Sequence, residues 1–79
     1  MAYKKTNSDR IKRIYQLCED HFGGVRFVGV KYHKKVGWLA KVQFDDGFES
    51  LTADGETSTE AIRNLKNRVK KIIKRYNAV

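Results

Sequence analysis

The sequence predicts an α+β domain of order αβββα, with a three-stranded antiparallel sheet and two helices packed on one of its faces. Apolar residues recur at helical spacing near both ends of the chain, alternate at strand spacing between them, and are joined by short connections. The chain has 79 residues, of which 41% are hydrophobic, enough for one small core. We therefore expect a single domain over 1–79, with a flexible N-terminal tail at 1–6.

A first helix is predicted over 8–22. Its apolar stripe consists of Ile11, Ile14, Tyr15, Cys18 and Phe22, with Leu17 on the flank. Asn7 or Ser8 is expected to cap its start with a side-chain oxygen, and Gly23-Gly24 to end it in the left-handed conformation.

Three strands are predicted to follow, over 25–33, 38–44 and about 48–53. In the second strand one face consists of Trp38, Ala40, Val42 and Phe44. Asp46-Gly47 indicates a hairpin, because both residues tolerate a tight turn. Its register stays open. A two-residue turn places Val42 opposite Leu51, and a three-residue loop over 45–47 places Phe44 opposite Phe48.

The second helix begins with a capping box over 57–60, in which Thr57 accepts from the Glu60 amide and Glu60 reaches back. Its apolar stripe consists of Ile62, Leu65, Val69, Ile72, Ile73 and Tyr76. We expect this stripe to share the core with Ile14 and Cys18 of the first helix.

The net charge of +8 is segregated along the chain. Residues 23–43 carry +5 and residues 63–79 carry +7, neither with an acid, whereas residues 44–62 carry −6. The folded surface is therefore expected to have a positive and a negative region.

Several function classes are disfavoured. The longest apolar run falls far short of a membrane span, and a lone cysteine, Cys18, fits a reducing cytosol. His21 and His33 have no partners at metal-ligand spacing, and no nucleophile–base set is evident. We expect a cytoplasmic protein that is not an enzyme, with no metal, cofactor or small-molecule substrate.

The basic residues favour contact with a polyanion. In the second helix, Arg63, Lys70 and Lys74 form one row, while Arg68, Lys71 and Arg75 lie on the far side. Lys12 and Arg13 of the first helix are further candidates. The predicted nucleic-acid-binding residues are Lys31, His33, Lys34, Lys35, Arg63, Lys66, Lys70, Lys71 and Lys74.

The aromatic residues suggest a second mode of binding, in which bases stack on exposed rings. The candidates are Phe27, Tyr32, Trp38, Phe44 and Phe48. Most are expected to fill the core, with Tyr32 the exposed ring if Phe27 faces inward.

The predicted order, the length and the basic charge resemble the double-stranded-RNA-binding domain. The likeness covers most of the chain in topology. Gly55, Ser58 and Ala61 are in step with the segment that opens that family's second helix, and His33 lies in the expected loop. Thr59 and Glu60 stand where the family has phosphate-gripping lysines. The resemblance implies an αβββα scaffold that binds RNA.

A shorter resemblance, to HicB-type antitoxins, covers 42–69. It consists of Phe44-Asp45-Asp46-Gly47, Gly55-Glu56-Thr57, Glu60-Ala61 and Asn64. It implies a protein partner.

Two functions therefore compete. One is a small protein that contacts the phosphate backbone of structured RNA or duplex DNA. The other is a protein-binding module, such as an antitoxin or a small phage-type inhibitor of a nucleic-acid-processing enzyme. The acidic segment 44–62 favours the second, because phosphate repels it.

Overall fold

A computed structural model of the chain describes residues 6–45 and 50–77, with side chains up to residue 75. The elements are α1 (Asn7–His21), β1 (Val25–His33), β2 (Gly37–Phe44), β3 (Leu51–Gly55) and α2 (Ser58–Asn77). The sheet is antiparallel with strand order β1-β2-β3, and both helices pack on its core face. The predicted αβββα fold is confirmed. In the described part of the chain, neither helix has the length and apolar character to cross a bilayer.

Helix α1 begins one residue earlier than predicted, and its cap is Thr6 rather than Asn7 or Ser8. Thr6 Oγ1 accepts a 3.2 Å hydrogen bond from the Asp9 amide, and the Asp9 carboxylate accepts one from the Thr6 amide. Thr6 can take this role because the Asn7 side chain bonds to α2 instead. Residues 1–5 of the expected tail lie outside the described residues. Gly23 and Gly24, with φ of 72° and 66°, end the helix as predicted.

The register between β2 and β3 is that of the two-residue turn, because Val42 pairs with Leu51. The turn at Asp46-Gly47 itself lies outside the described residues, as do Phe48 and Glu49. Strand β3 continues two residues beyond its predicted end, since Asp54 and Gly55 still pair with β2.

Strand β1 contains a bulge that the sequence pattern did not predict. Val25 pairs with Phe44 while Phe27 pairs with Gln43, so Arg26 is the extra residue. The bulge reverses the alternation of faces. Val25 is therefore buried on the same side as Val28, and Phe27 points to the opposite side of the sheet.

The core lies between the sheet and the two helices. It consists of Ile14, Cys18, Val25, Ala40, Val42, Ala61, Ile62, Leu65 and Val69. The expected joint burial of Ile14, Cys18, Leu65 and Val69 is confirmed, while Ile72 is half-buried. Tyr15 was wrongly assigned to the α1 stripe. It is 41% exposed, and Leu17 packs against the core, because α2 approaches α1 from the Leu17 side.

Helix α2 begins with the predicted cap, as Thr57 Oγ1 accepts a 3.0 Å hydrogen bond from the Glu60 amide. The return bond differs from the prediction. Glu60 Oε1 accepts from the amide of Glu56, one residue before the cap, at 3.4 Å. The first bond satisfies an amide that has no partner within the helix, and the second ties the residue before the cap to the first turn.

Helix α2 also covers the outer edge of the sheet. Asn64 Nδ2 donates to the Asp54 carbonyl at 2.8 Å, and Arg68 Nη1 donates to the Thr52 carbonyl at 3.2 Å. These carbonyls lie on the side of β3 that has no strand neighbour. The two side chains therefore protect this edge from pairing with another strand.

Candidate nucleic-acid interface

The two helices start side by side because Asn7 bonds to both of them. Its Nδ2 donates to Ser58 Oγ at 2.9 Å, and its Oδ1 accepts from Thr59 Oγ1 at 3.1 Å. The same Oδ1 accepts a 3.0 Å hydrogen bond from Arg10 Nη1, within α1. Asn7 therefore fixes the start of α1 against the start of α2 and holds Arg10 at the same place.

A groove of about 740 Å³ lies between α1 and α2. Leu17 and Ile62 are its apolar residues, and both belong to or pack against the core. The remaining residues are polar or charged. They are Asp9, Arg10, Lys12, Arg13, Gln16, Asp20, Arg63 and Lys66. We call this feature the basic groove.

The charges of the basic groove favour an anion. Five of its residues are basic and two are acidic. Both carboxylates accept hydrogen bonds within α1, Asp9 from Thr6 and Asp20 Oδ1 from Gln16 Nε2 at 2.9 Å. In the described part of the chain, neither Arg13 nor Arg63 forms an ion pair with a carboxylate. Their guanidinium groups are therefore available for a phosphate, which arginine can bind in bidentate fashion.

The groove unites part of the predicted site with residues of α1. Arg63 and Lys66 of the predicted set line the groove together with Lys12 and Arg13, the further candidates in α1. Sequence reasoning missed Arg10. Its signal was present, because Arg10, Arg13 and Leu17 have the i, i+3, i+7 spacing of one helix face.

The other predicted residues of α2 divide between two sides of the helix. By helical spacing, Lys70 and Lys74 continue the row of Arg63 and Lys66 on the α1 side. Lys71 lies in the row of Asn64 and Arg68, on the side of β3. Both Lys70 and Lys71 are exposed. Of the two, only Lys70 extends the line of charge that begins in the basic groove.

The turn between β1 and β2 is a separate basic feature. Lys31, His33, Lys34 and Lys35 are all exposed there. His33 Nδ1 accepts a 3.3 Å hydrogen bond from the Lys35 amide, so the imidazole also shapes the turn. Gly37 ends the turn with a φ of +85°, where an added Cβ would lie 3.1 Å from the Gly55 carbonyl.

The position of this turn separates it from most of the α2 cations. Gly55 lies just before α2, so the turn is near the start of that helix. Lys70 is about 18 Å further along the helix axis than Ser58, at the rise of an α-helix. Lys70, Lys71 and Lys74 therefore lie three or more helical turns from the end of α2 that is near the turn. Exposed acids, Asp54, Glu56 and Glu60, also lie at the end of the sheet where the turn is found.

The expectation that most candidate aromatic residues fill the core is wrong for the described residues, because two of the four pack against the core and two are exposed. Trp38 and Phe44 pack against it, and Phe44 makes an edge contact with Phe22 at a centroid distance of 6.0 Å. Tyr32 is 64% exposed and touches Trp38 edge-on. Phe27 does not face inward but is 50% exposed. Phe48 lies outside the described residues.

Cys18 is fully buried, and burial raises the pKa of its thiol to about 11. The thiolate is the nucleophilic form, so this environment suppresses its reactivity near neutral pH. Across residues 6–45 and 50–77, no group of three or more His, Cys, Asp or Glu side chains is placed to hold a metal ion.

Comparison of the chain with models of protein families, with curated proteins and with solved structures finds no match.

Proposed function

We propose that the protein binds the phosphate backbone of structured RNA or duplex DNA through the basic groove. The observation that carries this proposal is the convergence of cations from two helices on one groove. Arg10, Lys12 and Arg13 come from α1, and Arg63 and Lys66 from α2. The groove takes the backbone of one strand, and its cations contact successive phosphates.

The side chains that line the groove favour contact with the phosphate backbone over hydrogen bonds to the edges of bases. Its polar groups are mainly cations, which neutralise phosphates without regard to sequence. The row that continues through Lys70 to Lys74 extends the contact along the strand. Affinity should therefore depend strongly on salt and weakly on base sequence.

The experiment is a salt titration of binding by the wild-type protein, measured by fluorescence anisotropy. The probes are a labelled RNA duplex, a DNA duplex of the same length and a structured RNA hairpin. With three to five phosphates neutralised, log Kobs should fall with log salt at a slope of about −2.7 to −4.5 on B-DNA. Lack of binding to all three probes at low salt would overturn the proposal.

A second candidate function is recognition of a protein with a basic surface. It is favoured by Asp54, Glu56 and Glu60, which are exposed at one end of the sheet where they would repel phosphate. If the nucleic-acid probes fail, this candidate takes the lead. If a partner protein copurifies with this chain, Glu56→Gln should weaken that complex and Arg63→Gln should leave its affinity unchanged.

A further inference from the structure

Phe27 lies on the outer face of the sheet, the face turned away from both helices. Its ring extends over Gly29 on the same strand. A Cβ at position 29 would lie 2.9 Å from ring atom Cε1 and 3.3 Å from Cε2. The ring therefore occupies space that any larger residue at position 29 would need.

In this position the Phe27 ring lies against the sheet, and half of its surface remains exposed to solvent. Covering a glycine backbone with an aromatic ring stabilises a strand. Such cover explains why the ring lies over Gly29, but Phe27 remains 50% exposed. An exposed ring held against a rigid sheet is a suitable surface for a flat aromatic ligand.

The charges around the ring indicate what that ligand is. Lys41, on β2, pairs with Gly29. Lys31 lies two residues after Gly29 on β1, so its side chain is on the same face as Phe27. The acid on this face, within the described strands, is Asp54, which lies on β3 opposite Leu39. Asp45 follows the end of β2, two residues beyond Gln43, which pairs with Phe27, but the ring extends in the other direction, over Gly29. The ring therefore has lysines on its Gly29 side, while the carboxylate of Asp54 is two strands away from β1.

We propose that this outer sheet face binds a single-stranded segment of nucleic acid. One base stacks on Phe27, and neighbouring phosphates contact Lys31 and Lys41. Stacking tolerates any base, since every base has a π-face, and lysines supply the attraction for the backbone. The surface is distinct from the basic groove, because the helices that form the groove pack on the opposite face of the sheet. A structured RNA with paired and unpaired regions offers ligands for both surfaces.

The first experiment compares two single-stranded oligonucleotides of equal length, one intact and one with abasic sites throughout. Both carry the same phosphates, so a difference in affinity reports contact with bases. The wild-type protein should bind the intact strand at least about 5-fold more tightly. Equal affinity for the two strands would overturn the proposal.

Variants locate the base contact. Phe27→Leu keeps an apolar cover for Gly29 but removes the ring, and should abolish the preference for the intact strand. Phe27→Tyr should retain it. The control is Arg13→Gln combined with Arg63→Gln, which should weaken binding of a duplex yet leave the preference unchanged. A preference that survives in Phe27→Leu would contradict the assignment.

A spectroscopic readout on the wild-type protein removes any dependence on the folding of variants. Addition of the intact strand should shift the NMR signals of the Phe27 ring and the Gly29 amide through the ring current of the base. The abasic strand should leave the ring signals nearly unchanged. Shifts confined to α1 and α2 would place all binding in the basic groove and overturn the proposal. The duplex titration tests the groove separately, so either surface can fail without the other.

Discussion

Asn7 Nδ2 donates a 2.9 Å hydrogen bond to Ser58 Oγ and so joins the first turn of α1 to the first turn of α2. Thr59 adds a second bond to the same asparagine. The basic groove begins beside these two helix starts and runs along α1 from Asp9 to Asp20, with Ile62, Arg63 and Lys66 of α2 on its other side. A pair of polar residues far apart in the sequence thus sets the distance between the cations of the two helices.

Replacing Asn7 by alanine should reduce both stability and binding to a duplex. The variant loses two interhelical hydrogen bonds, each of which contributes about 0.5–1.5 kcal/mol. Unfolding in urea measures the stability, and Ser8→Ala, at an exposed neighbour in the same turn, is the control. Equal midpoints for the two variants would show that Asn7 does not hold the helices together.

Replacing Leu65 by alanine should cost about 2–5 kcal/mol, because the side chain is fully buried in the shared core. That is a large part of the stability of a domain of this size. Asn67→Ala, on the exposed side of the same helix, should change the midpoint of denaturation little. Wild-type stability of Leu65→Ala would mean that α2 does not pack on the sheet as described.

Replacing Gly55 by alanine should destabilise the protein by about 2 kcal/mol or more, because the new Cβ has no room. It would lie 2.6 Å from the Ala61 amide nitrogen and 2.9 Å from the Glu60 carbonyl carbon, so the start of α2 must move. At Gly23 an added Cβ meets nothing within 4 Å, and Gly23→Ala has only the strain of its positive φ, about 1 kcal/mol. Thermal unfolding compares the two, and an equal loss would rule out the close approach.

Cys18 should make stability depend on pH in the alkaline range. Burial raises the pKa of its thiol from an ordinary value of 9.0 to about 11, so the folded protein keeps the proton that the unfolded chain releases. The contribution is complete below about pH 9 and is lost as pH rises towards about 11. The unfolding free energy of the wild type should therefore fall relative to that of Cys18→Ala as pH rises through this range. A difference that stays constant with pH would refute the burial.

The fold was predictable because each element carries its own local signal. The α2 capping box and stripe lie within consecutive turns, and the alternation in β2 shows which face is buried. Either hairpin register satisfied the apolar pattern locally, and the pairing of Val42 with Leu51 depends on the whole sheet. The α1 cap was wrong for a similar reason, since Asn7 is a good capping residue that a contact with Ser58 diverts.

The candidate site was predictable only in part. Arg63 and Lys66 could be identified from the absence of acids after Glu60. Their position opposite Arg10 and Arg13 depends on how two helices pack, which no single helix pattern encodes. The bulge at Arg26 likewise decides that Phe27 points outward, and a bulge has no strong signature in the composition of a strand.

The most direct test of the basic groove compares two double variants that remove the same charge. Arg13→Gln/Arg63→Gln removes one cation from each wall of the groove, and Lys71→Gln/Arg75→Gln removes two from the far side of α2. The measurement is the salt dependence of duplex binding for both. The groove variant should lose about two units of the slope of log Kobs against log salt, and the control much less. Equal losses in the two variants would show that net charge, and not the groove, attracts the nucleic acid.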